Sequence, residues 1–139
     1  ASDVYKRQVL SGGNAAWRGK ELPDGVLGGI LTANNIARLD LSGTEMVVLS
    51  ACQSGQGKAT SEGLYGLQRA FKKAGVGTMV MALWSVSDKV ATEFMTAFYE
   101  QLASKQCKWN KRKAFENAKS IIREKYPDPY YWAAFVMLD

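Results

Sequence analysis

The stretch Met46-Val47-Val48-Leu49-Ser50-Ala51-Cys52 sets the architecture. Residues 46–51 form a continuous, largely apolar run with two adjacent valines and no polar alternation. That pattern belongs to a strand buried on both faces, as in a parallel sheet. The run ends at Cys52, and Gln53-Ser54-Gly55-Gln56-Gly57-Lys58 follows as a glycine-bearing loop. A second run spans residues 76–84, centred on Thr78-Met79-Val80-Met81-Ala82-Leu83. Between the two, residues 62–74 read as a helix. Leu64, Leu67, Phe71 and Ala74 recur at three- and four-residue steps, and Gly75 follows as the C-cap. Strand, helix, strand in this order implies a crossover between parallel neighbours.

The same logic extends to both ends. Val9-Leu10 with Gly12-Gly13-Asn14 reads as a strand running into a turn, and residues 15–29 as loop. Residues 32–39 read as a short helix with Thr32 at its N-cap. Ser85 and Asp88 stand at capping-box spacing, opening a helix to about Leu102 with Val90, Phe94, Phe98 and Leu102 four apart. A third helix is predicted over residues 111–125, burying Ala114, Phe115, Ala118, Ile121 and Ile122. Pro127 and Pro129 stop it. Residues 132–138 read as a last apolar strand. The fold class is therefore α/β, with a mostly parallel sheet covered on both faces, in one domain or part of one.

Composition excludes several function classes. The 139 residues contain no His, so no Ser-His-Asp triad or Cys-His dyad closes within the chain. Cys52 and Cys107 cannot by themselves form a zinc site or a disulfide framework, which favours a reducing cytoplasm and no metal or other cofactor. No apolar run reaches the length of a membrane span, and the N-terminus lacks signal-peptide character. The net charge of +5 raises nucleic-acid binding. The densest basic run, Lys105 to Lys113, reads instead as a solvated turn, so neither nucleic acid nor membrane is expected as a partner.

Residues 1–8 carry a separate signal. Ser2-Asp3-Val4-Tyr5-Lys6-Arg7-Gln8 can be encoded by TCAGATGTGTATAAGAGACAG, which ends in the mosaic-end sequence of transposon-based sequencing libraries. Residues 1–8 are expected to be translated adapter and residues 9–139 the natural protein. On that reading an upstream segment, including a catalytic His, was cut away.

Cys52 is the first candidate for chemistry. It follows a buried parallel strand, at the sheet edge where α/β proteins place their sites. Gly55 and Gly57 let backbone N–H groups approach a ligand, as an oxyanion requires. A thiolate there would be a nucleophile once a base deprotonated it; a buried structural cysteine is the plainer alternative. Gly57-Lys58 fails as a phosphate loop, because Ala59 follows and Cys52 stands at the first glycine position. Asp88 either serves the helix start or presents a carboxylate at the sheet edge. Trp84 ends its strand on the same edge as Cys52. Cys107 reads as an incidental thiol in a polar turn, and Trp109, Tyr130 and Tyr131 as packing residues near helix ends.

Val47-Val48-Leu49-Ser50-Ala51-Cys52-Gln53-Ser54-Gly55 closely resembles the signature of CHAT domains, caspase-like domains often found with tetratricopeptide repeats. Leu10-Ser11-Gly12-Gly13, Leu31-Thr32-Ala33 through Asp40-Leu41, Glu62-Gly63-Leu64-Tyr65-Gly66-Leu67, Leu83-Trp84-Ser85-Val86-Ser87-Asp88 and Trp132-Ala133-Ala134-Phe135-Val136 match the same family in order. The resemblance covers nearly everything from Val9 to Asp139.

The resemblance implies a caspase-like three-layer sandwich, truncated at its N-terminus, and cysteine endopeptidase chemistry shared with separases and gingipains. Cys52 would be the nucleophile, with its own N–H and the Gly55 loop serving the oxyanion. The general base would be a His in a His-Gly pair upstream of Val9. Trp84, Val86 and Asp88 would line the S1 pocket, with Asp88 facing a basic P1 side chain.

The expected parent is a bacterial cytoplasmic enzyme acting on a protein substrate, with upstream repeats or a regulatory partner for recognition. This chain alone would be nearly inactive without its base, and loss of N-terminal strands would expose a sheet edge. The alternative is a catalytically silent caspase-like interaction or regulatory module. A regulatory nucleotide-binding domain is weaker still, given the failed phosphate loop.

Overall fold

The structure is a computed structural model and describes residues 7–9, 30–49 and 61–139. The turn after Val9, the loop over 15–29, the strand end at Ser50-Ala51-Cys52 and the loop over 53–58 lie outside the described residues. The chain divides into two compact units, Ala1–Glu45 with Lys58–Gly77, and Met46–Gly57 with Thr78–Asp139.

In the first unit, β1 (Arg7–Val9) pairs antiparallel with β2 (Ile30–Thr32). The sequence reading had no β2: three residues after a glycine pair leave too short a pattern to register. Thr32 then caps α1 (Ala33–Ile36), and a capping box forms with Asn35. The hydroxyl of Thr32 satisfies an orphan N–H of the first turn, as its type and position predict.

Helix α2 (Ser61–Lys73) follows the expected bounds within a residue. Leu67, Ala70, Phe71 and Ala74 are buried, along the predicted stripe. The side chain of Leu64 lies outside the described residues. The helix ends in a Schellman motif: Val76 N–H donates to Phe71 O at 3.1 Å and Gly75 N–H to Lys72 O at 3.1 Å. Gly75 has φ +99°, a conformation that costs glycine little and other residues more.

The second unit is a mixed α/β layer. Strand β3 (Met46–Leu49) pairs parallel with β4 (Thr78–Ala82), and β4 pairs antiparallel with β5 (Phe135–Leu138), in the order β3-β4-β5. Of the two pairings in this sheet, one is parallel. Central β4 is buried throughout, as expected. Strand β3 is only half-buried along all four residues, against the expectation of full burial, because it takes an edge position among the described strands.

Val80 and Ala82 turn to one face of β4, opposite Met137 and Phe135 of β5. Helices α3 (Asp88–Ala103) and α4 (Lys111–Lys125) cover that face and pack on each other. Phe94 stacks on Phe135 with centroids 3.9 Å apart and meets Phe115 edge-on at 5.5 Å. These rings, with Phe98, Leu102, Ala114, Ala118 and Ile122, form the core. The apolar spacing of both helices carried that face correctly except at Ile121, which is 43% exposed. Neighbouring Ile122 takes the inward position, and the two cannot share one face of a helix.

The start of α3 differs from the predicted box. Ser87, not Ser85, is the N-cap, and its hydroxyl accepts from Val90 N–H at 3.3 Å. Asp88 is thereby the first helical residue. The last predicted strand is also shorter. Asp128 caps a single turn, α5 (Pro129–Trp132), with Pro129 at a first-turn position, and β5 begins only at Phe135. Pro129 thus starts a helix as well as following one, as its fixed φ and missing N–H allow.

The turn between α3 and α4 reverses one expectation: Trp109 is 70% exposed rather than packed, while Cys107 in the same turn is buried at 3% exposure beside Gln101 and Asn117.

Candidate functional site

The candidate site lies at the carboxyl end of β4. Leu83 N–H donates to Ala134 O at 2.8 Å, carrying the antiparallel ladder one step beyond Ala82. The chain then leaves the sheet through Trp84-Ser85-Val86-Ser87 into the N-terminus of α3. Helix α5 holds this segment from the side. The Trp84 indole Nε1–H donates to Tyr130 O at 2.8 Å, and the Tyr130 hydroxyl donates to Ser85 O at 2.6 Å. The two rings lie 6.3 Å apart, tilted by 32°.

Each S1 candidate has a distinct environment. Trp84 is 36% exposed with its indole N–H occupied. Val86 is half-buried and packs against the helical core, so it anchors the segment. Asp88 is exposed at the first turn of a 16-residue helix, where the helix dipole favours its negative charge. The arrangement joins an aromatic surface, an apolar foot and an exposed carboxylate in one five-residue segment. A cationic side chain could lie against the Trp84 face and approach Asp88.

Tyr130 is the residue the sequence reading missed, having been assigned to packing. It is 51% exposed and makes two of the polar contacts that fix the segment. The available signal was Asp128-Pro129, an N-cap followed by a first-turn proline, which announces a short helix ahead of the last strand. Cys52 and Gly55 lie outside the described residues. Strand β3, which precedes them, is in register with β4 through Leu49 and Met81. Among the described residues no group of three or more His, Cys, Asp or Glu side chains is placed to hold a metal ion, and no helix is long and apolar enough to cross a membrane.

The family model for the CHAT domain matches residues 8–139. The chain belongs to the CHAT domain family. This CHAT chain is 33% identical over 114 residues to tetratricopeptide repeat protein 28 of Mus musculus, a match covering 78% of the chain and 4% of that protein. It is 29% identical over 111 residues to tetratricopeptide repeat protein 28 of Homo sapiens, covering 78% and 4%. The CHAT region matched is thus a small part of these long relatives. Both are mammalian, so they lend nothing to the expectation of a bacterial source. No solved structure matches.

Proposed function

We propose that this CHAT chain is the nucleophile-bearing part of a cysteine endopeptidase, with Cys52 as nucleophile and the Trp84–Asp88 segment as the wall of the P1 pocket. The observation that carries this reading is the parallel register of β3 and β4. Leu49 pairs with Met81; Cys52 follows Leu49 by three residues and Trp84 follows Met81 by three. The reading is supported by the carboxyl edge of this parallel pair being where α/β proteins bind ligands.

The chemistry would run in two steps. The Cys52 thiolate attacks the peptide carbonyl, the oxyanion is held by N–H groups of the Cys52–Gly55 loop, and the amine leaves with a proton from a histidine. Water then hydrolyses the thioester and regenerates the thiol. The chain contains no His, so that base must come from outside these 139 residues. A caspase-like sandwich completed by upstream strands, a cytoplasmic setting and gating by repeats belong to the same reading.

Sequencing the source DNA across the Val9 codon tests it. A His-Gly after an apolar strand upstream is the expected result, followed by peptide cleavage that Cys52→Ala abolishes in the complete protein. The same read tests residues 1–8 as adapter. If residues 1–8 are genuine, the absence of His in the chain favours a second reading, a silent interaction module, which intact upstream coding sequence without that His would support.

A further inference from the structure

The turn joining α3 to α4 presents Trp109 to solvent, and nothing in the peptidase chemistry uses it. Lys108 and Trp109 have φ of 45° and 63°, the left-handed region that bulky residues rarely enter. Two consecutive residues in this conformation cost free energy, and such strain persists only where the surroundings impose it. Here they do. Lys108 N–H donates to Ser104 O at 3.0 Å, Trp109 N–H to Leu102 O at 3.2 Å and Asn110 N–H to Cys107 O at 2.8 Å. The Ser104 hydroxyl donates to Gln101 O at 2.7 Å and accepts from Cys107 N–H at 3.2 Å. Cys107 is sealed beneath the turn while Trp109 is left outside it.

Along the chain, the charge on either side of Trp109 has one sign. Lys105, Lys108, Lys111, Arg112 and Lys113 fall between Ser104 and Lys113, with no acidic residue in that stretch. Arg112 pairs with Asp139, and Lys113 Nζ donates to Gln106 O at 3.0 Å. Lys105 and Lys108 are exposed in the same turn as Trp109.

We infer that this turn is a docking knob for an acidic segment of a protein partner, with Trp109 entering an apolar pocket and the surrounding cations meeting carboxylates. A tryptophan on a hydrogen-bonded turn flanked in sequence by cations is the pattern of an interface hot spot: its area is buried without ordering a loop, and the charges steer the approach. Other occupants fit less well. A single-stranded nucleic acid would stack on a series of aromatics, and the turn offers one. A membrane surface would need an apolar face, and the remaining exposed residues from Lys105 to Asn110 are polar.

The test is selection of short random peptides displayed on phage against the whole chain, with Trp109→Gly and the Lys105→Glu/Lys108→Glu double variant as controls. Glycine suits a positive φ, so Trp109→Gly keeps its thermal midpoint while losing the indole. The expected result is recovery of peptides rich in Asp and Glu around an apolar residue. Their affinity falls about tenfold or more in each variant, and added salt weakens them. Peptides without acidic enrichment, equal binding to Trp109→Gly, or tighter binding of an oligothymidylate or of phosphatidylserine vesicles than of any selected peptide would overturn the inference.

Discussion

Trp84 and Tyr130 form a two-point clasp: the Trp84 indole N–H donates to Tyr130 O at 2.8 Å, and the Tyr130 hydroxyl donates to the carbonyl of Ser85, the residue after Trp84, at 2.6 Å. The clasp ties the exit of β4 to the one-turn helix before β5. Tyr130→Phe removes only the second bond. Because both groups are partly exposed, the loss should fall near the low end of about 0.5–1.5 kcal/mol. Trp84→Phe should cost a similar amount. The double variant should lose less than the sum, because each bond helps to place the other's partner. Urea melts of the four proteins check this, and strict additivity would show two independent contacts.

The aromatic core predicts a much larger effect. Phe94 is fully buried between Phe135 and Phe115. Phe94→Ala should cost about 3–5 kcal/mol, a large share of the stability of a small domain. Loss of cooperative unfolding by circular dichroism is the expected readout. Ile121→Ala on the exposed side of the same helical pair should change the midpoint little.

Helix α4 shows why much of this fold was legible. Its bounds agree with the reading because Asn110 caps it, apolar residues recur at helical steps, and Pro127 follows it. Strand β4 was equally clear, since an unbroken apolar run buried on both faces has one simple explanation. The failures have local causes. Ser85 and Ser87 offer the same hydroxyl, and only the backbone decides which one reaches Val90. Trp109 is not the packing residue its type suggests, because hydrophobicity alone ranks tryptophan inward, whereas hydrogen bonds around Ser104 turn it outward. At the candidate site, Trp84 and Asp88 stand out by position and Val86 through the family resemblance, whereas Tyr130 emerges only through contacts across 46 residues of sequence.

Gly75 supplies a backbone test in the first unit. A Cβ there would lie 2.9 Å from Ser42 Cα, and the residue already has φ +99°. Gly75→Ala should therefore destabilise by more than about 1 kcal/mol, whereas Gly43→Ala has open space around it. Thermal melts of the two variants should separate clearly.

The Glu93–Lys125 pair, 2.8 Å apart, gives a pH dependence. Its hydrogen bond to Lys125 holds the Glu93 carboxyl below its ordinary value of 4.5, and the same bond holds Lys125 above 10.5. The Glu93 contribution is present above the unfolded value and is lost as pH falls through the lowered folded one. The Lys125 contribution is present below its unfolded value and is lost as pH rises through the raised folded one. Glu93→Gln should flatten the stability curve at both extremes; an unchanged acid limb would show that the pair adds nothing.

The most direct measurement is covalent labelling of the complete protein by a peptidyl acyloxymethyl ketone with arginine at P1, read by intact mass and peptide mapping. The peptidase reading predicts a single adduct on Cys52, absent in Cys52→Ala and weaker with leucine at P1. No adduct, or an adduct that persists in Cys52→Ala, would contradict it.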